Sequence, residues 1–326
     1  MKPNFGIIVL LALVLFPSAS WAQVSTDVKV VFLKGTTLLT ANADGSNVQT
    51  LVSDRNPKTD LRWSPVGDRI VYYAPSQDAS TTDNLVAVTA SGQVLKTIPA
   101  DAGTNWDFSI DKVGWYGEGA IFVTGAVNPY GDDYLAFDLN SGQMVQNLGE
   151  PMVSEYVGFE TCSSNAQVAY PVDTRASSTS SPSVTLQVNG TTVYTAQPPS
   201  TVSSYLLYNL RWSEDCSRIA FIESVNANDT LVVLSGTTVE ARVPIPDAGW
   251  PVTTVVPLGS SFAVLGGTAE GRDYSGDTTA LFYSTTTHTL DPASAILQQL
   301  QAREAAENKL MQKLGGSSPD WYRSSP

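Results

Sequence analysis

Histidine is almost missing from this chain of 326 residues, where His288 is the only one. A multi-histidine metal centre and a Ser-His-Asp triad are therefore not expected. Cysteine is nearly as scarce, with Cys162 and Cys216 alone. Several active-site signatures are missing as well. There is no Gly-x-Ser-x-Gly, so no attached α/β-hydrolase nucleophile is expected, and neither Gly-x-Gly-x-x-Gly nor a phosphate loop occurs. Positive charge is in short supply: 18 Lys and Arg face 31 Asp and Glu, for a formal net charge of −13. Such a chain repels phosphate backbones, which argues against a nucleic-acid partner. Charged residues make up 15 % and hydrophobic ones 42 %, too apolar a mixture for a disordered chain.

Long apolar runs are missing except at the N-terminus. Lys2 and the run Ile7-Ile-Val-Leu-Leu-Ala-Leu-Val-Leu-Phe16 lead to Pro17 and to Ser20-Trp-Ala22. This is the pattern of a signal peptide over residues 1–22, with cleavage before Gln23. The run is too short to span a bilayer comfortably, and no membrane span is expected elsewhere. An exported protein, periplasmic or extracellular, follows as the expectation, and such a compartment permits a disulfide.

Against these absences stands a repeat. Leu61-Arg-Trp-Ser-Pro-Val-Gly-Asp-Arg-Ile-Val-Tyr-Tyr73 returns as Leu210-Arg-Trp-Ser-Glu-Asp-Cys-Ser-Arg-Ile-Ala-Phe-Ile222. Leu-Arg-Trp alternates as a half-buried strand does, Ser-Pro-Val-Gly is turn chemistry, and Ile-Val-Tyr-Tyr is β-branched and aromatic. The two copies lie about 150 residues apart, three times a period of about fifty, the mark of a propeller, solenoid or array. Six hairpin units can be read between residues 28 and 290, turning at Asp44-Gly45, Ser91-Gly92, Ser141-Gly142, Asn189-Gly190, Ser235-Gly236 and near Thr286-Thr287. Five are preceded by an anchor strand, marked by Trp63, Trp115, Phe159, Trp212 and, approximately, Val256. An aromatic repeated just before each turn fits burial between neighbouring units better than ligand stacking.

The motif resembles the Trp-Ser-Pro-Asp-Gly repeat of TolB-like, WD40-like β-propellers. Val66 stands where that repeat has Asp, and Glu214 and Cys216 replace Pro and Gly in the second copy, so that turn is expected to be altered. The resemblance implies an all-β propeller over residues 23–290, with six blades of four strands expected ahead of seven or five. The first unit lacks an anchor strand and is expected to be short or completed by another part of the chain. In the blade frame Cys162 and Cys216 fall in the first turns of consecutive blades, on one rim, and a disulfide between them is expected. Residues 291–314 read as an amphipathic helix, with Asp291 as N-cap, Pro292 in the first turn and Gly315-Gly316 as the stop. Residues 315–326 read as a flexible tail.

The same frame gathers acidic loops on one rim. Asp132-Asp133 and Asp273-Tyr-Ser-Gly-Asp277 are the densest oxygen clusters, with Trp106 and Tyr130 as neighbouring aromatics. These six residues are the candidate binding set. The rim suits a basic protein partner, or a divalent cation such as calcium, although neither cluster matches a known calcium loop and no metal ligand is assigned. No catalytic residue is assigned either. Two functions stay open. One is an exported, monomeric, non-enzymatic propeller that binds or scaffolds proteins in the cell envelope. The other is a carboxylate-based propeller enzyme of the glycosidase or lactonase kind, with calcium.

Overall fold

A computed structural model describes residues 28–322, apart from 77–82, 100–107, 128–130, 148–158, 163, 166, 174–183, 197–204, 247–250, 268–273 and 275. The signal peptide over 1–22 lies outside the described residues. The strands, numbered along the chain, form six four-stranded antiparallel sheets. Blade 1 holds β1 (Lys29–Lys34), β2 (Thr37–Asn42) and β3 (Gln49–Val52). Blade 2 is β4 (Thr59–Trp63), β5 (Arg69–Ala74), β6 (Asn84–Thr89) and β7 (Val94–Pro99). Blade 3 is β8 (Phe108–Tyr116), β9 (Ala120–Val127), β10 (Gly131–Asp138) and β11 (Met144–Asn147). Blade 4 is β12 (Glu160–Thr161), β13 (Val168–Asp173), β14 (Val184–Val188) and β15 (Thr191–Thr195). Blade 5 is β16 (Tyr205–Trp212), β17 (Ile219–Val225), β18 (Asn228–Ser235) and β19 (Thr238–Pro244). Blade 6 is β20 (Val252–Leu258), β21 (Ser261–Gly267), β22 (Asp277–Ser284) and β23 (Thr289–Pro292). A helix, α1 (Ser294–Leu314), then leads to β24 (Ser317–Tyr322), which pairs with β1 and completes blade 1. The chain is a six-bladed β-propeller whose first blade is closed by its last strand.

The tail is therefore not loose: of residues 315–326, Ser317–Tyr322 are a strand. The reason is the edge of blade 1, where β1 would otherwise present a row of unpaired backbone groups. The helix also begins later than the sequence suggests. Asp291 and Pro292 belong to β23, and Ala293 caps the helix without a side-chain hydrogen bond. Its end is as expected, with Gly315 left-handed and Gly316 N–H returning to Met311 O.

Five blade seams share one apolar core each. Trp63 and Leu61 pack with Val31, Leu38 and Leu51 between blades 1 and 2, while Trp115 packs with Val71 and Ile98 between blades 2 and 3. Phe159 meets Phe122 and Tyr134 between blades 3 and 4, Trp212 meets Leu186 between blades 4 and 5, and Phe262 meets Ile222 and Val233 between blades 5 and 6. The sixth seam is different, because α1 lies in it and the core divides. Leu297 and Leu300 pack on Val256, Leu265 and Ala280 of blade 6. Met311 packs on Val30, Phe32, Leu39 and Ala41 of blade 1, beside Leu310 and Leu314.

The four anchors are all buried, but they do not share one register. Trp63 pairs with Ile70, Trp115 with Ile121 and Trp212 with Ile219, each in the last two residues of its inner strand. In blade 4 that place belongs to Thr161, opposite Val168, and Phe159 comes two residues earlier. Phe159 instead lies against Gly114, where a methyl group would strike its ring. In blade 1 the place belongs to Trp321, opposite Val30.

The turn of the second motif copy is not altered. Ser64 N–H donates to Arg69 O at 2.8 Å and Gly67 N–H to Ser64 O at 2.9 Å. Ser213 and Cys216 repeat both bonds at 2.9 Å. Cys216 takes φ +56° where Gly67 has +69°. The conformation is costly for a residue with a Cβ, and Cys216 is held there by its bond to Cys162, with the two Cα atoms 5.8 Å apart.

Candidate functional site

The inner strands β24, β4, β8, β12, β16 and β20 stand side by side around a central channel. A cavity of about 380 Å³ opens there, lined from all six blades. Its charged residues are Arg62, Lys112, Glu160, Arg211 and Asp320, and its aromatic walls include Trp63, Trp115, Phe159, Tyr274 and Trp321. In blade 6 the anchor register falls to Pro257, opposite Phe262, one residue after the expected Val256. Reading one position before this register, blade by blade, gives Asp320, Arg62, Gly114, Glu160, Arg211 and Val256. The order is acid, arginine, uncharged, and then the same again, so the two halves of the ring repeat each other. Blades 2 and 5 are opposite in a ring of six, and Arg62 and Arg211 therefore face the channel from opposite sides.

Each arginine pairs with the acid of the preceding blade. Arg62 Nη1 lies 3.9 Å from Asp320 Oδ1, and Arg211 Nη1 lies 3.6 Å from Glu160 Oε2. Each also donates to the carbonyl of its preceding leucine, at 2.8 Å for Arg62 and 2.7 Å for Arg211. A β-bulge lies just before each of them, between Thr59 and Arg62 and between Tyr208 and Arg211. The bulge residues Asp60 and Asn209 have φ of 48° and 55°, a conformation in which Asp and Asn are enriched. Bulges of this kind re-aim the following side chain. Lys112 comes from the same face of the ring and donates to Phe159 O at 2.9 Å, with Nζ 4.7 Å from the Phe159 ring centre.

The candidate binding set does not converge in this channel. Trp106, Tyr130 and Asp273 lie outside the described residues. Asp132 and Asp133 open β10 opposite Ala126 and Gly125, on a strand where the sequence had suggested a loop. Asp277 is not a rim contact, being only 4 % exposed and accepting a hydrogen bond from Thr253 Oγ1 at 2.6 Å. Its place on β22, beside Gln301 of α1, buries it as the helix fills the last seam. The described acids on that rim are likewise engaged by their own chain. Asp54 holds Lys58 at 2.5 Å, Tyr73 donates to Asp83, and Tyr208 donates to Asp229 at 2.7 Å. Glu223, 3 % exposed, accepts from Tyr205 at 2.6 Å and Tyr194 at 2.9 Å and pairs with Arg242. Burial pushes the Tyr205 hydroxyl far above its usual range, with Tyr194 beside it adding to the effect. Among the described residues, no three His, Cys, Asp or Glu gather as metal ligands would. His288 sits in the last turn of blade 6, where its Nδ1 is 2.8 Å from the Tyr283 hydroxyl.

The channel residues were within reach of the sequence. Arg62 and Arg211 are the polar members of the repeated Leu-Arg-Trp-Ser, and each follows an Asx residue by two positions. A polar residue kept between two buried ones in both copies is the signal that points to them.

No protein-family model matches this sequence, and no curated protein matches it. Solved structures match it in shape. A chain of the mitotic checkpoint complex superposes with a TM-score of 0.52 at 15 % identity, over 82 % of this chain and 76 % of that one. A protein of Listeria monocytogenes EGD-e described as uncharacterized gives 0.51 at 9 %, over 82 % and 80 %. TolB from Acinetobacter baumannii gives 0.44 at 16 %, over 83 % of this chain and 65 % of that one. At such identities the likeness extends to the fold alone, a β-propeller.

Proposed function

We propose that this chain is an exported, non-enzymatic propeller that binds a protein partner in the cell envelope or outside the cell, with a basic partner favoured. The observation that carries this reading is how its described acids are used. Asp54, Asp83, Glu223, Asp229 and Asp277 are all engaged by their own chain, and that engagement makes them parts of the scaffold. Asp132, Asp133 and Asp273 are then the acids of the −13 chain proposed to meet a partner, with Tyr130 next to them in sequence and Trp106 on the same rim in the blade frame. A field of that sign attracts a basic surface and weakens as salt shortens the screening length. The Cys162–Cys216 bond and the signal-like N-terminus support export, since disulfides persist in oxidising compartments. No described helix is long and apolar enough to cross a membrane.

The test is a triple substitution, Asp132→Asn, Asp133→Asn and Asp273→Asn, with Asp277 left in place. Envelope extract is passed over both proteins at about 0.1 M and 1 M salt, between which the screening length falls from ~10 Å to ~3 Å. A basic partner held by the parent protein at low salt, and lost both at high salt and with the triple variant, is the expected result. Equal capture by the two proteins would remove the acidic residues from the reading.

A further inference from the structure

The two halves of the channel repeat each other in every charged position except two: Lys112 of blade 3 answers to Thr254 in blade 6, and a second difference lies between blades 2 and 5. Three residues before the anchor, blade 2 has Asp60 and blade 5 has Asn209. Both residues sit on the same bulge with left-handed φ. Asp60 Oδ1 lies 2.6 Å from Arg62 Nη2, a close ion pair that takes up the outer edge of that guanidinium. Asn209 carries no charge, and Arg211 has no counterpart of this contact. The Arg211 guanidinium keeps one bond to Leu210 O at 2.7 Å and a longer approach of 3.6 Å to Glu160. Its side chain is one-quarter exposed, and it lines the channel cavity beside Thr254–Pro257 of blade 6 and Tyr274.

We infer that Arg211 is the anchor of a carboxylate-binding site in the central channel. A guanidinium carries five donors in a fixed fork that matches a carboxylate in two-pronged fashion. In blade 2 the chain supplies that carboxylate itself, as Asp60. In blade 5 the same fork lacks the counterpart of Asp60 and has only the longer 3.6 Å pairing with Glu160. The cavity of about 380 Å³ falls within the range of about 300–1,000 Å³ that holds small ligands. Its aromatic walls, among them Trp115, Phe159 and Trp321, suit an acid with an apolar or ring-bearing body. The carboxylate has two chemical sources, a free small organic acid or the C-terminus of a peptide entering the channel. This inference stands apart from the acidic-rim reading, because it concerns an anion and a different part of the ring.

The experiment titrates the full chain with three probes: phenylacetate, N-acetyl-Ala-Ala-Phe with a free carboxylate, and the same peptide as its amide. Isothermal calorimetry reads the affinity and tryptophan fluorescence reports the channel. Saturable binding of either carboxylate, with the amide at least tenfold weaker, is expected. Phenylacetate alone assigns the site to free acids, the peptide acid alone to chain termini, and both together to the carboxylate group itself. Arg211→Gln should weaken binding at least tenfold. Asn209→Asp is the sharper variant, because it restores the partner seen in blade 2. It should abolish binding while leaving the melting temperature unchanged or raised, so a folding defect cannot explain the loss. Arg303→Gln, on α1 and outside the residues that line the cavity, should bind like the parent. Binding of neither carboxylate, equal binding of the amide, or parent-like binding by Asn209→Asp would overturn the inference.

Discussion

Two seams of this ring are reinforced by different means. Between blades 4 and 5 a shared apolar core is reinforced by polar and covalent bonds. Cys162 and Cys216 join the first turns of the two blades. Trp212 Nε1 donates to Glu160 O at 3.1 Å, and Glu223 gathers Tyr194, Tyr205 and Arg242 from blades 4 and 5. Between blades 6 and 1 the fastening is apolar and topological. There α1 wedges Leu297 and Leu300 against one blade and Met311 against the other, and β24 ties the ends together. The difference follows from chain connectivity. Blades 4 and 5 are joined in sequence, so added bonds only refine a contact the chain already makes. Blades 6 and 1 meet the two ends of the fold, and without a returning strand nothing covalent holds them near each other.

Cutting the second fastening should have the largest effect. A chain ending at Leu314 leaves blade 1 with three strands and exposes the β1 edge that β24 covers. It should lose a single cooperative melting transition and elute as larger species on size exclusion. A truncated chain that melts within a few degrees of the full protein would show that α1 alone holds the seam. Removing the disulfide, by Cys162→Ser with Cys216→Ser, should cost less. The bridge spans 54 residues, worth about 4 kcal/mol in the chain-entropy model. The variant should remain folded, with hydrogen-exchange protection falling in blades 4 and 5 and unchanged in β1 and β24. A uniform loss around the ring would contradict local fastening.

The contrast also marks how far the sequence could be read. Six hairpin units, their turns and the Cys162–Cys216 bond follow from periodicity and turn chemistry, because each blade repeats the same local problem. The blade 1 deficit was legible as well, since no anchor strand precedes Val28. Its solution was not, because Ser317-Ser-Pro-Asp-Trp-Tyr322 reads as a polar tail unless paired with a strand almost three hundred residues away. Phe159 misled in a related way. Spacing alone made it an anchor, but Thr161 holds that register while Phe159 fills the space above Gly114. Asp277 looked like surface charge because burial by α1 is a contact between distant segments. In the channel, Arg62 and Arg211 stood in the repeat, yet their use depends on Asp60 and Asn209, just outside the quoted motif.

A smaller change sharpens the polar seam. Glu223→Gln keeps the shape and one acceptor for the tyrosines but removes the charge facing Arg242. Because the Arg242 side chain is 45 % exposed, solvent can take over part of its solvation. The expected loss is roughly 2 kcal/mol, within the range for hydrogen bonds to charged groups, read from the urea midpoint. The Thr253→Val change near the other seam removes one hydrogen bond to Asp277 and serves as the matched comparison, at about 1 kcal/mol.

The smallest effect separates the seams by pH. Burial holds the Tyr205 proton on the folded protein well above the ordinary tyrosine value. A tyrosine raised in this way keeps its proton longer folded than unfolded. Its contribution is whole below about 10, the unfolded value, and is lost as pH rises toward the folded value. The polar seam should therefore loosen in alkali, whereas the contacts of Leu297, Leu300 and Met311 carry no titrating group. Tyr205→Phe removes the hydrogen bond to Glu223 and should cost about 1 kcal/mol at pH 8. It also removes one group that disfavours the folded state at high pH, so the gap to the parent should narrow above about pH 10. Urea midpoints measured from about pH 8 to 11 for both proteins give the comparison. A gap that stays constant or widens would mean that Tyr205 is not the group through which alkali reaches this seam.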